Sequence, residues 1–195
     1  MTEAEIMKAV ITGASSGIGM HIAKYLDSMG ISTVITARRA DRLEKIAKEM
    51  KCRCITEALD ISKSQNCKTL FNKHSDADIL VNCAGFGVFG AFKSTSLERE
   101  LEMLDVNIKA LHTLTKLYLC EFEKKGGGYI LNVSSLASFS PGPLFSSYYA
   151  SKAYVTNLTK AIAFELKKKK SKTKAGYVKN NLVPKPLDGA TLLSL

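Results

Sequence analysis

Apolar and polar positions follow two alternating patterns along this chain. Short apolar runs predict buried β-strands at 6–12, 31–37, 52–57, 79–82 and 129–134. The segments between them carry charges at helical spacing and predict helices from about 17, at 40–50, at 63–74, at 97–124 and at 145–169. Strands that alternate with helices favour right-handed crossovers and a parallel sheet. The pattern therefore predicts an α/β fold, a doubly wound parallel sheet with helices on both faces.

A glycine-rich turn follows the first predicted strand. The residues from Thr12 to Gly19 read T-G-A-S-S-G-I-G and lead directly into a predicted helix. Glycine permits backbone conformations that other residues avoid, and a helix N-terminus offers free N–H groups and a positive dipole end. The turn therefore predicts an anion site. The spacing is not G-x-G-x-x-G and no Gly-Lys-Ser/Thr follows, which disfavours a P-loop. A plain tight turn is the alternative.

A tyrosine and a lysine stand one helical turn apart in the last predicted helix. Tyr148 and Lys152 share a face at i and i+4, so the lysine ammonium can favour the ionised phenol. An unperturbed phenol titrates near pH ~10, so proton exchange near neutrality needs such help. Ser135 directly follows the preceding strand. Tyr149 has Ala153 at its i+4 position, which favours Tyr148. A surface pair without function also satisfies the spacing.

The charge is unevenly distributed. The chain of 195 residues, 46% hydrophobic and 24% charged, is ordinary for one soluble domain. Its net charge is +10, but residues 167–195 hold eight lysines against one aspartate and so account for +7. A lysine run with a single aromatic residue is typical of a solvated tail. We therefore expect no specific nucleic-acid binding.

The cysteines and histidines suggest neither a metal site nor a disulfide framework. The five cysteines form no CxxC pair, and His21, His74 and His112 are scattered. Reduced thiols fit the cytosol. No apolar stretch approaches the ~20 residues of a membrane span, and the first residues lack signal-peptide features. We expect a cytoplasmic protein without a bound metal or a membrane span.

The motifs together resemble the short-chain dehydrogenase/reductase family, in its branch with a single Rossmann-like domain. Thr12–Gly19 is similar to its T-G-x-x-x-G-x-G cofactor turn, and residues 82–85, N-C-A-G, resemble its N-N-A-G segment. Asn107 matches its helix asparagine, and Ser135, Tyr148 and Lys152 match its serine and its Y-x-x-x-K motif. The resemblance covers residues 6 to about 166, which gives a domain over 1–166 and a basic, atypical tail over 167–195.

The resemblance implies hydride transfer between NAD(P)(H) and an alcohol or carbonyl substrate. Tyr148 would donate or accept the proton, Ser135 would polarise the substrate oxygen, and Lys152 would hold the nicotinamide ribose. Asn107 would order a water relay. Each residue has a structural alternative: Ser135 can cap a turn, Asn107 can bond a neighbouring carbonyl, and Asn82 can close a loop.

The resemblance also implies a set of cofactor-binding residues, and the charge at the end of the second strand indicates which cofactor they bind. These residues are Gly13, Ser15, Ser16, Gly17, Ile18, Gly19, Arg38, Asp60, Asn82, Ala84, Gly85, Tyr148 and Lys152. Arg38 stands at the end of the second strand, where an NAD enzyme usually has an acid, and this favours NADP. Arg39 shares the role or faces water. Asp60 contacts the adenine or caps the next helix.

The pattern changes after Leu166. Four lysines follow, and the family's sixth strand, Pro-Gly turn, substrate loop and last strand are not recognisable. We therefore expect a sheet without its last strands and a truncated or frameshifted C-terminus. The alternative to an enzyme is a non-catalytic nucleotide-binding or interaction protein. By the same resemblance we expect a small-molecule substrate and a homo-oligomer formed through the two long helices.

Overall fold

The strands form one parallel sheet. A computed structural model describes residues 7–178 and places six strands in the order β3-β2-β1-β4-β5-β6. They are β1 (Lys8–Thr12), β2 (Ser32–Ala37), β3 (Cys54–Ala58), β4 (Ile79–Asn82), β5 (Gly128–Val133) and β6 (Thr173–Val178). All five pairings are parallel. The order reverses between β1 and β4, which is where such sheets open a crevice at their carboxyl ends.

Helices cover both faces of the sheet. They are α1 (Gly17–Ser28), α2 (Ala40–Ala47), α3 (Ser64–Lys73), α4 (Leu97–Leu104), α5 (Leu111–Lys125) and α6 (Ser146–Lys168). Within β1, Val10 belongs to a core with α3, α5 and α6, whereas Ala9 and Ile11 belong to a second core with α1 and α2. Successive side chains of a strand point to opposite faces, so both faces are apolar and both need a cover. The predicted doubly wound fold is confirmed.

The long helix predicted over 97–124 is interrupted. A π-helical turn, Asp105–Ala110, joins α4 to α5. α5 ends at Lys125 because Gly126 adopts a left-handed φ of 87° that closes the helix. π-turns inside α-helices occur often at functional sites, and this one contains Asn107.

The expectation that the sheet lacks its sixth strand is wrong. β6 pairs with β5 over all six of its residues, and it comes from the segment assigned to the tail. In this strand Thr173 and Ala175 are buried while Lys174 is exposed. Such an alternation has no apolar run, which explains why the strand was missed directly after the lysines. The expectation that the family's Pro-Gly turn and last strand are missing concerns residues outside those that the structure describes.

Every helix within residues 7–178 is too short or too polar to span a membrane. Within the same residues, no group of three metal-ligating side chains comes together.

Candidate active site

A crevice of about 1190 Å³ opens at the carboxyl ends of β1 and β4. It brings together most of the predicted site residues: Gly13, Ser15, Ser16, Gly17, Ile18, Gly19, Arg38, Asp60, Ala84, Gly85, Ser135, Tyr148 and Lys152. Two predicted residues, Asn82 and Asn107, are buried behind its wall. The crevice exceeds the roughly 300–1,000 Å³ of drug-sized sites, so it has room for an extended ligand.

The glycine turn forms one wall from main chain. Gly13 has a φ of 69°, and a Cβ there would lie 2.6 Å from the Cα of Ala84. A Cβ on Gly19 would lie 2.5 Å from the carbonyl oxygen of Gly13. The Thr12 hydroxyl accepts from the N–H groups of Cys83 and Ala84, at 3.0 and 3.2 Å. Only glycine therefore permits this packing, which aims the N-terminus of α1 into the crevice and suits a diphosphate.

Lys152 is a buried cation at the inner end of the crevice. Its Nζ donates to the carbonyl oxygen of Val133 at 2.9 Å and lies 5.8 Å from the centre of the Tyr148 ring. Burial lowers the pKa of the Lys152 ammonium to about 8, although charge coupling with Cys83 opposes the shift. The group is still mainly protonated at neutral pH, so a positive charge lies beside the phenol.

Aromatic neighbours hold Tyr148 in the first turn of α6. The Phe145 ring packs edge-on against it with a centroid separation of 5.1 Å. Tyr149 also lines the crevice. Of the two phenols, Tyr148 is the one whose ring faces the Lys152 ammonium, which is the arrangement that the i, i+4 spacing predicted.

Ser135 lines the crevice and also caps a turn, which was its alternative role. It is buried, and its Oγ accepts from the N–H of Ala137 at 3.2 Å, which caps the 3₁₀ turn Leu136–Phe139. A hydroxyl that accepts one hydrogen bond retains its own proton as a donor. Ser135 can therefore cap this turn and still donate into the crevice.

Asn107 acts as a clamp on the backbone after β4. Its Oδ1 accepts from the N–H of Phe86 at 3.1 Å, and its Nδ2 donates to the carbonyl oxygen of Phe86 at 2.9 Å. Nδ2 also donates to the Ser151 hydroxyl at 3.1 Å. The alternative of bonding a neighbouring carbonyl is thus observed. Gly85 is needed here because a Cβ would lie 2.9 Å from the Asn107 Oδ1.

Asn82 belongs to a buried polar network below the site. Its Nδ2 donates to Thr115 at 3.1 Å and to Asn132 at 2.9 Å. Asn132 in turn donates to Thr159 at 2.9 Å. The network joins β4, β5, α5 and α6, so Asn82 fixes the frame of the crevice instead of lining it. Sequence reasoning missed these partners, because nothing local shows that they face one another.

The outer end of the crevice is basic and exposed. Arg38 Nη1 pairs with Glu102 Oε1 at 3.0 Å. Arg39 Nη2 donates to the hydroxyls of Ser15 and Ser16 at 3.0 and 3.3 Å. The arginine that reaches the glycine turn is therefore Arg39. Arg38 also lines the crevice, and its contact with a 2′-phosphate stays a prediction.

Asp60 is also at this end, and its contact is local. Its Oδ1 accepts from the N–H of Ser62 at 3.1 Å, close to the start of α3. This hydrogen bond closes the turn before α3, whose N-cap residue is Lys63, so the helix-capping alternative is not observed. Asp60 also lines the crevice.

The residues present fit a phosphorylated dinucleotide. The crevice offers a main-chain cradle, a helix N-terminus, guanidinium groups at one end and a buried ammonium beside a phenol at the other. A glycine cradle that any Cβ would fill is an observed feature of this chain and not an inference from its motif. Fold and site together define an α/β protein of the Rossmann-like class, with a crevice that suits a dinucleotide.

Comparison with known proteins gives the family. The sequence profile of the short chain dehydrogenase family matches residues 7–183. The chain therefore belongs to the short-chain dehydrogenase/reductase family.

The relatives include bacterial and animal oxidoreductases. An uncharacterized oxidoreductase of Staphylococcus saprophyticus is 32% identical, with 98% of this chain and 84% of that protein covered. Human dehydrogenase/reductase SDR family member 4 is 33% identical over 166 residues. The matched region covers 81% of this chain and 60% of the human protein. A metagenomic short-chain oxidoreductase solved in complex with NADP is 31% identical, with a TM-score of 0.81 and coverage of 89% of this chain and 81% of that one.

Proposed function

We propose that this protein is an NADP(H)-dependent oxidoreductase that interconverts an alcohol and a carbonyl compound. The observation that carries the proposal is the inner end of the crevice, where the Lys152 ammonium is buried beside Tyr148. The Ser135 hydroxyl lines the same crevice. Carbonyl reduction requires three groups of the protein: a proton donor, a cation beside it and a hydrogen-bond donor to the carbonyl oxygen. Tyr148, Lys152 and Ser135 would supply them in that order.

The proposed reaction divides its work among these groups. The nicotinamide would supply the hydride or accept it. Tyr148 would donate a proton to the carbonyl oxygen during reduction and take one from the alcohol during oxidation. Ser135 would donate a hydrogen bond to the same oxygen and so orient the substrate. Lys152 would favour the ionised phenol through its charge and hold the nicotinamide ribose.

Asn107 has a proposed positioning role. Its clamp on Phe86 and its bond to Ser151 link the segment after β4 to α6. This link keeps the wall of the crevice in register with the helix that carries Tyr148 and Lys152. The water relay that the family resemblance implies for Asn107 stays a prediction.

NADP is the proposed cofactor because of charge at the outer end. Arg38 and Arg39 line the crevice after β2, and no acid stands at that strand end. Guanidinium groups suit a 2′-phosphate, whereas an NAD enzyme usually has a carboxylate there. The NADP complex of the metagenomic relative supports the same choice.

The substrate is proposed to be a small molecule with an apolar part. Phe89, Leu136 and Pro143 line the crevice, and Phe89 and Leu136 are largely exposed there. Apolar side chains at the mouth favour an apolar substituent on the reacting carbon.

We also propose a homo-oligomer formed through the two long helical segments, 97–125 and 146–168. Leu97 and Leu101 are exposed one turn apart on α4, which supports an apolar contact face. Light scattering on the purified chain would measure a monomer mass if this is wrong.

Replacing Tyr148 by Phe tests the catalytic assignment. NADPH binding, followed by its fluorescence, should be unchanged within about two-fold, while turnover with a panel of aldehydes and ketones should fall by ~10²–10⁴, the usual contribution of a general acid. Tyr149→Phe is the matched control, because it removes a neighbouring phenol from the same crevice; we expect it to reduce turnover far less.

Three other results would count against the proposal. Normal turnover by the Tyr148→Phe variant would remove Tyr148 from the mechanism. NADPH binding without turnover of any carbonyl by the unaltered chain would support the non-catalytic nucleotide-binding alternative. No nucleotide binding at all would overturn both.

A further inference from the structure

Three guanidinium groups line the crevice, and one carboxylate engages two of them. Arg38, Arg39 and Arg99 all reach the wall. Glu102, on α4, accepts from Arg38 through Oε1 at 3.0 Å and from Arg99 through Oε2. Arg39 instead bonds the hydroxyls of Ser15 and Ser16. Arg38 is therefore paired with a negative charge, whereas the adjacent Arg39 bonds only neutral hydroxyls in these contacts.

We propose that Glu102 is a specificity-determining residue, which weakens the binding of NADP by competing with its 2′-phosphate for Arg38. The inference rests on the proposed function, because it assumes that a dinucleotide binds in this crevice. In this proposal Arg39 is the main cation for the 2′-phosphate, and Arg38 is a second cation that binds the phosphate only after leaving Glu102.

The geometry permits this competition. The Arg38 side chain is 59% exposed and that of Glu102 is 32% exposed, so the pair is solvated and weak. A phosphate dianion is a stronger partner for a guanidinium than a solvated carboxylate. Arg38 can therefore change partners, but the phosphate must first displace Glu102.

Arg99 lowers the free-energy cost of moving Arg38 from Glu102 to a phosphate. Its guanidinium stays on Glu102 and lies 4.4 Å from the centre of the Phe86 ring. When Arg38 turns to a phosphate, Glu102 keeps one cationic partner and is not left as an unpaired charge. The carboxylate thus reduces the affinity by a modest factor and does not block the site.

The substitution Glu102→Gln tests this proposal by calorimetric titration with NADP⁺ and NAD⁺. We expect NADP⁺ to bind about two- to five-fold more tightly, the scale of an exposed ion pair, with NAD⁺ unchanged. Glu98→Gln is the matched control. Glu98 lies on the same helix and carries the same charge, but within residues 7–178 its side chain bonds Ser96 and no arginine. It should leave both affinities unchanged.

A double-substitution cycle separates competition from a general charge effect. In an Arg38→Gln background, Glu102→Gln should change NADP⁺ affinity by less than about 1.5-fold, because the contested cation is gone. If the gain persists there, or appears equally for NAD⁺, Glu102 acts only through bulk charge and the proposal is wrong. An unchanged NADP⁺ affinity in Glu102→Gln also overturns it while leaving the proposed function intact. If neither nucleotide binds to any variant, the proposed function fails first.

Discussion

The two ends of the crevice are built on opposite physical principles. At the inner end, Lys152 and Ser135 are buried, and each bonds the main chain, through Val133 and Ala137 respectively. At the outer end, the side chains of Arg38 and Arg39 are exposed, and within residues 7–178 they bond only other side chains. One end is therefore buried and bonded to the main chain, and the other is exposed and bonded to side chains.

This difference determines what a substitution can do. A buried charge interacts strongly and costs free energy to keep, so its removal should change both rate and stability. Exposed charges are screened by water and salt, so their removal should change affinity modestly and leave the fold intact.

Lys152→Met should separate stability from activity at the inner end. We expect turnover to fall by ~10² or more, because the phenol loses its cationic neighbour. The free energy of unfolding at pH 7 should rise by about 1–2 kcal/mol. Removing a buried ammonium stabilises the fold, and losing its hydrogen bond to Val133 offsets part of that gain. Steady-state kinetics and urea denaturation measure the two effects.

The stability gain should depend on pH in a defined direction. The pKa of Lys152 is lowered to about 8 in the folded chain, whereas it returns to about 10.4 on unfolding. Between these values the unfolded state binds the extra proton, so the stability of the unaltered protein rises with pH. The advantage of Lys152→Met should thus be full below pH ~8 and shrink towards pH ~10.

The control for this substitution lies on the same helix. Lys167 is exposed, so Lys167→Met should change the stability by less than about 0.5 kcal/mol at either pH. If Lys152→Met is less stable than the unaltered chain at pH 7, the ammonium is not a net cost, and the proposed contrast between the two ends is weakened.

Gly19→Ala should damage the wall that the two ends share. The new Cβ would lie 2.5 Å from the carbonyl oxygen of Gly13, and this backbone contact cannot relax cheaply. We expect a loss of about 1–3 kcal/mol in unfolding free energy and at least ~10-fold weaker binding of NADP⁺, because the α1 N-terminus shifts. Denaturation and calorimetry measure these effects.

Gly30→Ala provides the comparison. Unlike Gly19, Gly30 has a positive φ, 82°, and apart from its two chain neighbours no heavy atom of the described residues lies within 4 Å of an added Cβ. It should lose about 1 kcal/mol through strain alone and keep its affinity for NADP⁺. Equal losses of affinity in both variants would show that the cradle geometry is not what binds the nucleotide.

At the outer end, Arg39→Gln and Arg38→Gln should have unequal effects. We expect NADP⁺ to bind about 10-fold more weakly after the first change and about two-fold more weakly after the second, since Glu102 already engages Arg38. NAD⁺ affinity and unfolding free energy should barely change. Titrations at low salt and at ~0.5 M salt provide the measurement, with the difference shrinking at high salt. A larger loss from Arg38→Gln would return the main role to Arg38.

Much of the fold could be predicted because local patterns carry it. β4 was predicted at 79–82 and is found there, and the other central strands differ by at most two residues at each end. Their apolar runs are continuous because both faces of a parallel sheet are buried. β6 has an alternating pattern, and no such run marked it. The π-turn at Asn107 was also missed. The hydrogen bond from Asn107 to Phe86 joins residues 21 positions apart, so no local pattern indicated it.

The sequence by itself determined the elements whose causes are local: the glycine turn, the strand periodicity, and the pairing of Tyr148 with Lys152 one helical turn apart. Tertiary structure decided which arginine reaches the turn, how deeply Lys152 is buried, and that Asn82 and Asn107 support the crevice from behind. Those outcomes depend on contacts between distant segments. Burial and partner choice are properties of packed surfaces, which no spacing along the chain specifies.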